Sequence, residues 1–439
     1  PELLSPETFS LVNYHEAENV LADYQALVDE AERVRSELPE DAKDAFFESV
    51  VDPAKAYEIV AELYVTVAKN HLYAEQGRAS TNDMADKAEA LFKADQQLSD
   101  YFNHTLAGGK WDHMMDQTHI GYTTWQQPAT NVMPKVVRID NPASAELGVA
   151  VEGSTTAWPR PPWPTALAHA ALPDIDAFDH PSRYIEVFNR GRTPFTFRAT
   201  ASDPWIVVDP PGGQVDHDLR VLVSVDWSKA PQGNTPARVT IDGPPGQSVP
   251  IAFTIVNPAD ITTDTLDGFM ETDHCVSIEA EHYTTKVDSY SSHWFRIPNY
   301  GRTLSAMTIR STTSPPTGSP RLEYRMYLTD SGGATLSAFI APTLAFAPGH
   351  GLRFGYSVDD QPAQSVDSLH YLGASGWEES VKNSIRIVDV PIRIDQPGYH
   401  VLKFWMVDPG VVLEKLTVDF GGVRPSFLGP PESYRHVVN

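Results

Sequence analysis

The chain has 439 residues, 41% of them hydrophobic, and a net charge of −25 from 33 basic and 58 acidic side chains. This charge repels phosphate backbones and anionic membrane surfaces, which excludes nucleic acid and membranes as expected partners, and no apolar run reaches the roughly 18 residues that span a bilayer. The single cysteine, Cys275, excludes an intrachain disulfide and a cysteine-cluster metal site.

The length predicts two to four domains. Pro1 stands where a starting methionine would be, and no charged-then-apolar signal segment follows it, so we expect a processed product or an excised piece.

Helical periodicity runs through residues 14–106. Apolar residues from 17 to 38 follow steps of three and four, which predicts a first helix that ends at Pro39. A short second helix is predicted over 41–51. Pro53 suits the first turn of a third helix, and Gly77 suits its end.

A fourth helix is expected through residue 98, capped by Ser80 or Thr81. Together these segments predict an antiparallel bundle of about four helices. His71 lies on an apolar face, and we interpret it as a hydrogen-bonded core histidine rather than a metal ligand.

The 108–128 segment, GGKWDHMMDQTHIGYTTWQQP, follows neither a helical nor a strand period. Its composition fits either a buried connector or a binding loop on a rigid scaffold. A metal could bind His113, Asp116 and His119, but the flanking glycines leave little room for the helical turn that this spacing needs. A sugar or uronate site suits the composition better, because Trp and Tyr stack on pyranose rings while His, Asp and Gln bond hydroxyls.

After Pro128 the helical period disappears and Pro and Gly become dense. The WPRPPWP run at 158–164 predicts an extended strap laid over a domain. Short strands at this spacing predict an immunoglobulin-like sandwich of roughly 100 residues. The predicted strands are 183–188, 195–200, 206–209, 220–225, 237–241 and 249–256.

Residues 259–430 predict a second all-β unit, and its length and strand number suggest a jelly-roll sandwich. The predicted strands are 276–280, 294–297, 304–309, 321–328, 334–340, 352–358, 385–390, 398–406 and 411–419. The fold class is therefore α+β and multidomain: a helical bundle at 1–137, an immunoglobulin-like antiparallel sandwich with the strap at 138–258, and a jelly-roll sandwich at 259–439.

Two glutamates in the first of these later strands point to the same side of it. Glu279 and Glu281 repel each other unless a cation or an arginine lies between them. A calcium site is one solution, with Asp419 on the final strand as a further ligand. The alternative is a pair of solvated glutamates at a strand edge.

The common enzyme signatures are missing from the sequence: it contains no G-x-S-x-G elbow, no Walker A loop, no G-x-G-x-x-G after a strand and no H-E-x-x-H. No pair of carboxylates can be named as an acid and a base from the residues alone. We therefore predict no catalytic residue in this chain.

Long strings of the sequence resemble the region that follows the catalytic barrel in glycoside hydrolase family 115. They include SLVNYHEAENVLADYQALVDEAERV, AKNHLYAEQGRAS, the whole 108–128 segment, YIEVFNRGRTPF, SIEAEHYT and KFWMVDPGVVLEKLTVDFGG. The resemblance extends over essentially all 439 residues. That family is known for xylan α-1,2-glucuronidases, which remove glucuronic acid or its 4-O-methyl ether.

The resemblance implies that the catalytic carboxylates of an inverting hydrolysis lie on an upstream (β/α)₈ barrel, which is not in this sequence. It implies glucuronoxylan or aldouronic acids as substrate, the barrel as an intramolecular partner, and a secreted or periplasmic location. It also implies a homodimer, because β-domains of the family take part in subunit contacts. The last domain resembles galactose-binding-like carbohydrate-binding modules, whose EAE strand contributes to a structural calcium site, so no cofactor beyond calcium is expected.

Two interpretations of the 108–128 segment stay open. It faces the barrel and helps to wall the uronate pocket, or it packs the bundle against the barrel. The residues of interest for substrate binding are Trp111, His113, Asp116, His119, Tyr122 and Trp125. The alternative to an enzyme fragment is a stand-alone carbohydrate-binding or adhesin-like protein.

Overall fold

A computed structural model of the chain describes residues 3–159, 169–310, 312, 316, 319–346, 349–370 and 372–436. Within these residues a helical bundle is followed by two β-sandwiches, which confirms the predicted α+β multidomain fold class. Most of the predicted strap lies outside the described residues, since only Trp158 and Pro159 of it are included. The predicted domain boundaries stay predictions.

The bundle contains four α-helices, a π-helical turn at Phe47–Val51 and a short 3₁₀ turn at Leu106–Gly108. The α-helices are α1 (Glu16–Glu37), α2 (Glu40–Phe46), α3 (Asp52–Gln76) and α4 (Thr81–His104). The π turn joins α2 directly to α3, so the short helix predicted over 41–51 is an α-helix that changes pitch before Pro53. No described helix is both long enough and apolar enough to cross a bilayer.

The ends of the helices follow the sequence signals. Gly77 ends α3 in the left-handed conformation, with φ 71°, which costs glycine no Cβ clash. Ser80 precedes α4 at the cap position, although its side chain makes no capping hydrogen bond. His71 Nε2 donates to the Lys135 carbonyl at 2.8 Å, which agrees with the hydrogen-bonded histidine predicted, but its side chain is half-buried rather than in the core.

The apolar stripe of α1 is only partly covered. Ala17, Val28 and Ala31 are buried, whereas Leu27 is exposed. A helix of a complete bundle buries the whole stripe. This bundle therefore leaves apolar surface on its outer helix.

The first sandwich packs two sheets over one core that both sheets line. Its strand orders are β2-β1-β5-β9-β7 and β3-β11-β10-β6-β8, with β4 also paired to β11. The strands are β1 (Leu147–Val151), β2 (Ala157–Trp158), β3 (Ala170–Ala171), β4 (Ile175–Asp176), β5 (Ser182–Asn189), β6 (Phe195–Ala201), β7 (Ile206–Asp209), β8 (Gly212–Val215), β9 (Asp218–Val225), β10 (Gly233–Asp242) and β11 (Ser248–Asn257). Pairing is antiparallel except where β3 and β4 run parallel to β11.

The second sandwich also has two sheets around a shared core. Their orders are β20-β19-β22-β17-β12-β24, with β14 on β17, and β15-β16-β23-β18-β21, with β13 on β23. The strands are β12 (Gly268–Met270), β13 (Cys275–Glu279), β14 (Thr285–Val287), β15 (His293–Ile297), β16 (Ala306–Arg310), β17 (Arg321–Leu328), β18 (Gly332–Ile340), β19 (Arg353–Val358), β20 (Gln364–Asp367), β21 (Arg386–Ile394), β22 (Gly398–Met406), β23 (Leu413–Asp419) and β24 (Arg435–His436). A helix that sequence reasoning missed, α5 (Gly373–Lys382), lies between β20 and β21.

A buried arginine joins the two sandwiches. Arg183 on β5 binds Glu152 of the first sandwich at 2.7 Å and Asp273, in the β12–β13 turn of the second, at 2.6 Å. Desolvation on burial opposes the charge of Arg183, but the two carboxylates outweigh it and raise the pKa of the guanidinium. The junction is therefore held by a desolvated ion triad rather than by a surface salt bridge.

Candidate functional site

The 108–128 segment is an irregular loop laid along the bundle, with neither a helix nor a strand between Gly109 and Pro128. Ile120 is fully buried in a cluster with Leu63 of α3 and Ala88 of α4. Asn131 Oδ1 accepts the backbone N–H groups of His119 at 2.7 Å and of Ile120 at 3.0 Å. The middle of the segment is therefore fixed to the helices by packing and hydrogen bonds.

A glycine permits this close path. Gly121 has φ 95°, and a Cβ there would lie 2.8 Å from the Cβ of Val132. Its N–H donates to the Tyr64 hydroxyl at 3.2 Å. A side chain at this position would push the loop off the bundle.

Trp111 packs against the bundle rather than projecting from it. Its ring contacts the core cluster that contains Phe47 and Leu106. The Lys110 ammonium lies 4.2 Å from the centre of the same ring. Trp111 therefore contributes a covered face and a cation–π contact.

His113 and Asp116 form a surface pair. His113 Nδ1 donates to Asp116 Oδ2 at 2.7 Å, and the His113 side chain is 78% exposed. This hydrogen bond raises the pKa of His113 above its usual value. Asn103 at the end of α4 donates to Asp116 Oδ1 at 3.0 Å and accepts the Met115 N–H at 2.8 Å, so the turn is held while its histidine faces solvent.

His119 lies in a different environment. Its Nε2 donates to the buried Asp95 Oδ1 at 2.8 Å and its Nδ1 lies 3.0 Å from the Gln117 carbonyl, so both nitrogens face acceptors. Only the protonated imidazole donates from both nitrogens. The Asp95 hydrogen bond, more than any other contact, raises the pKa of His119.

A second buried carboxylate lies near this pair. Burial and, secondly, the charge of Asp95 raise the pKa of Asp52 to about 6. Neither oxygen of the Asp52 carboxylate has a hydrogen-bond partner among the described residues. Sequence reasoning missed both Asp52 and Asp95, because each stands in an ordinary helical stretch and only the folded bundle brings them to His119.

The structure thus separates the residues predicted for substrate binding. Trp111 and His119 contact the bundle, Tyr122 is half-buried, and His113, Asp116 and Trp125 are exposed. His113, Asp116 and His119 do not converge, since His119 pairs with Asp95 instead. Their role in substrate binding stays a prediction.

Glu279 in β13 pairs with a buried lysine. Lys415, its cross-strand neighbour on β23, places Nζ 3.2 Å from Glu279 Oε1. The Thr303 hydroxyl donates to the same oxygen at 2.5 Å. A lysine ammonium therefore neutralises Glu279, where the sequence had suggested a cation, an arginine or solvent.

The other two residues of the expected calcium site have their own partners. Glu281 accepts from Arg296 at 2.6 Å, and this contact opposes desolvation and lowers the pKa of Glu281. Asp419 Oδ1 accepts three backbone N–H groups from residues 421–423. These carboxylates form no joint ligand cluster within the described part of the chain, so the arrangement does not fit a calcium cage.

Three clefts are large enough to hold a sugar residue, and one of them, about 420 Å³, has Asp23 as the one carboxylate among its described lining residues. The larger of the other two, about 800 Å³, lies between the N-terminal segment, residues 153–155 and residues 425–427, and Glu7 is the one carboxylate among its described lining residues. The smaller, about 340 Å³, lies at the junction of the sandwiches and contains Glu152, Asp179, Asp273 and Glu432.

The carboxylates of the smaller cleft are engaged. Glu152 and Asp273 bind Arg183, and Glu432 binds His282 at 2.8 Å. Asp179 accepts the Thr272 hydroxyl at 2.9 Å, and burial raises its pKa to about 6. Burial likewise raises the pKa of the Cys275 thiol to about 12, so that cysteine is no nucleophile at neutral pH.

Several solved structures are similar to the chain. BtGH115A, a family GH115 4-O-methyl-α-glucuronidase with specificity for decorated arabinogalactans, is 13% identical with a TM-score of 0.49, over 92% of this chain and 33% of that one. The chain therefore spans about a third of the length of that enzyme.

Two carbohydrate-binding modules match a smaller part of the chain. The C-terminal CBM6 of the laminarinase LamC from Zobellia galactanivorans is 12% identical with a TM-score of 0.23, over 33% of this chain and 98% of the module. The CBM35 of Abf62 from Cellvibrio japonicus is 12% identical with a TM-score of 0.24, over 35% of this chain and 97% of the module.

Comparison with curated proteins returned no match. The family model described as the glycosyl hydrolase family 115 C-terminal domain matches residues 268–432, which hold nearly all of the second sandwich. This match confirms the predicted resemblance over residues 268–432: that part of the chain is similar to the C-terminal domain of glycosyl hydrolase family 115.

Proposed function

We propose that this chain is the accessory, non-catalytic portion of a family 115 α-glucuronidase that removes glucuronic acid or its 4-O-methyl ether from xylan with inversion. The observation that carries the proposal is the family match over residues 268–432. The catalytic acid and base belong to an upstream barrel, and the bundle and sandwiches support it. Because the proposed substrate is a polymer, we expect a secreted or periplasmic location.

The number and the contacts of the carboxylates in the clefts support a non-catalytic role. An inverting glycosidase needs an acid and a base carboxylate about 6.5–9.5 Å apart, with room for a water. Among the described lining residues, the larger cleft offers one carboxylate and the smaller cleft offers carboxylates that already bind arginine, histidine or a hydroxyl. The third cleft offers Asp23 alone, so none of the three presents an unengaged pair among its described lining residues.

The test is an assay of glucuronate release from aldouronic acids. The 439-residue chain should show no turnover, whereas the same chain with its upstream barrel should be active. Robust turnover by the chain alone would overturn the proposal. So would an upstream sequence that encodes no barrel.

The barrel, in this proposal, packs on the exposed side of the 108–128 segment. Met114 is 63% exposed and Trp125 is 50% exposed, although both are apolar and belong to a loop that is otherwise fixed to the bundle. In the proposed arrangement the barrel covers these two side chains. In the barrel-containing protein, Trp125→Ala should lower the melting temperature, while Tyr290→Ala, a fully exposed aromatic of the second sandwich, should leave it unchanged.

Sugar binding by the sandwiches is the runner-up function, favoured by exposed aromatics such as Tyr290 and Tyr300 on the second sandwich. Affinity electrophoresis of the chain in glucuronoxylan gels tests it. Retardation would support a binding module, and unchanged mobility would count against one.

A homodimer is a further expectation, and light scattering at several concentrations measures it.

A further inference from the structure

The turn between β12 and β13 holds two potential metal ligands that the proposed function does not use. Thr272 and Cys275 exchange both backbone hydrogen bonds, at 2.9 and 3.1 Å. Asp273 and His274 between them are left-handed, with φ 48° and 60°, as a type I′ hairpin turn requires. Glu271 precedes this turn and His274 is its second central residue, in the sequence ETDHC.

Asp330 completes a group of three. It follows the end of β17, and its carboxylate approaches the hairpin from the neighbouring strand. One ligand atom each from Glu271, His274 and Asp330 lies within 4.8 Å of both others. His274 Nδ1 and Asp330 Oδ2 are 2.6 Å apart.

Glu271 points to a ligand independently of this spacing. The residue is only 3% exposed, and its Oε2 accepts the N–H groups of Thr329 at 2.8 Å and Asp330 at 3.0 Å. Its Oε1 is buried without a hydrogen-bond partner among the described residues. A buried carboxylate oxygen without a partner is costly, so it calls for a proton or a cation.

Ordinary ion pairs do not supply that cation. Within the described part of the chain, Asp330 pairs only with His274, and Glu271 pairs with no lysine or arginine. Arg183 on β5 contacts the hairpin at Asp273 and also binds Glu152, and Arg424 lies 3.9 Å from the same Asp273. Among the described residues no lysine or arginine therefore supplies positive charge to Glu271 or Asp330, and one divalent ion would supply it.

The hairpin is also held in position before any ion binds. The Phe420 N–H donates to the His274 carbonyl at 2.9 Å. Gly422 packs so closely on the hairpin that a Cβ there would lie 1.5 Å from the backbone carbonyl oxygen of Asp273. On the open side the His274 ring is 61% exposed, which leaves an access path and room for a water ligand. A preorganised ligand set needs little reorganisation on binding.

We propose that Glu271, His274 and Asp330 bind a divalent transition-metal ion of the Zn²⁺ type, with solvent as the remaining ligand. One imidazole and two carboxylates suit zinc at about 2.0–2.2 Å. Ca²⁺ and Mg²⁺ prefer oxygen-only sets. Ligand atoms around such a tetrahedral ion lie roughly 3.5 Å apart. Here all three ligand atoms lie within 4.8 Å of one another, and His274 Nδ1 and Asp330 Oδ2 are 2.6 Å apart. The ion would tie the β12–β13 hairpin to the end of β17.

Calorimetric titration of the chelator-treated, tag-free chain with ZnCl₂ at pH 7.5 tests the proposal. The wild type should show one saturable site that His274→Ala and Glu271→Gln remove or weaken by at least about tenfold. His217→Ala is the matched control, because His217 is similarly exposed and pairs with Asp83 at 2.8 Å without a third carboxylate. Zinc should raise the melting temperature of the wild type and the control but not of His274→Ala.

Three results would overturn the site: no saturable binding by the wild type, unchanged stoichiometry and affinity in His274→Ala, or equal competition by Ca²⁺ or Mg²⁺. His274 is mostly exposed, so its alanine variant should fold even if Glu271→Gln does not. Melting curves without metal check the fold of each variant. The titration measures zinc binding and needs no glycosidase activity. The metal site is therefore tested independently of the proposed function.

Discussion

Asp52 is the first residue of α3, and its buried carboxylate has no hydrogen-bond partner in the described part of the chain. Its pKa is raised from 3.8 to about 6, first by burial and then by Asp95. The folded state therefore holds this proton more tightly than the unfolded state. The cost of ionisation is absent below pH 4, grows between pH 4 and 6, and is complete above pH 6.

Asp52→Asn removes that cost without changing the shape of the side chain. At pH 7.5 we expect the variant to be more stable by roughly 3 kcal/mol, and near pH 4 we expect the two proteins to unfold alike. Denaturant unfolding at both pH values measures this. Asp44→Asn, at an exposed position of α2, should show no such difference, and a destabilised Asp52→Asn at pH 7.5 would contradict the argument.

His119 and His113 lie six residues apart on the same segment and should behave differently when removed. His119→Ala leaves the buried Asp95 without its donor, which should cost about 1–3 kcal/mol, whereas His113→Ala alters an exposed pair and should leave the melting temperature unchanged. The raised pKa of His119 means that its contribution is complete below pH 6.5 and is lost as the pH rises through the folded-state pKa.

Melting curves of both alanine variants at pH 6 and pH 9 check this prediction. In the barrel-containing enzyme the same two variants distinguish between the two interpretations of the 108–128 segment, a wall of the uronate pocket or a packing contact with the barrel. A raised KM of His119→Ala at an unchanged melting temperature would support a pocket wall and contradict the stabilising role argued from Asp95.

At the scale of elements, β13 and β23 are joined by the Glu279–Lys415 pair. Both side chains are buried, and Lys415 also donates to the Pro430 carbonyl at 3.0 Å. Lys415→Met should destabilise the second sandwich by about 3–5 kcal/mol because it strands a buried carboxylate, and adding Glu279→Gln should recover part of this loss. Lys229→Met, which removes an exposed pair with Asp226, should leave the melting temperature unchanged.

The calcium ligands expected from the sequence also lie on or next to β13 and β23. Since Lys415 and Arg296 already neutralise Glu279 and Glu281, we expect equal melting temperatures with calcium and with a chelator. A rise with calcium would show that the ion displaces these contacts, and would restore the site expected from the EAE sequence.

Elements with a local signal could be predicted from the sequence. β7, β17 and β22 have the predicted ends, because apolar alternation and flanking turn residues mark them. β1 was missed because LGVAV is buried on both faces and does not alternate, and α5 was missed because GASGWEESVK begins with two glycines in four residues. The π turn before α3 has no sequence signature.

The contacts of the candidate sites were less predictable. Spacing suggested that His119 belongs with His113 and Asp116, but its partner Asp95 lies 24 residues away on α4. The sequence suggested a cation, an arginine or solvent beside Glu279, whereas the structure places a lysine there, on a strand that pairs with β13 only in the fold. Periodicity specifies which face of an element is buried, whereas such partners depend on how distant elements pair.

At the scale of the whole molecule, one buried arginine pairs with carboxylates of both sandwiches at their junction, beside the hydrogen bond from Thr272 to Asp179. Arg183 is 5% exposed and satisfies two carboxylates, one from each sandwich. The same hairpin that presents Asp273 to Arg183 carries Glu271 and His274. The orientation of the second sandwich and the geometry of the proposed metal site are therefore linked through four consecutive residues.

Arg183→Met should uncouple the sandwiches, because it leaves Glu152 and Asp273 buried without their partner, at a cost of about 3–5 kcal/mol. We expect a lower melting temperature and faster proteolysis at the junction. Arg33→Met is the matched control: Arg33 also binds two carboxylates, Glu30 and Glu37, but on the surface of α1, where loss of the pair should leave stability unchanged. An Arg183→Met protein that melts and resists protease like the control would show that packing alone holds the junction.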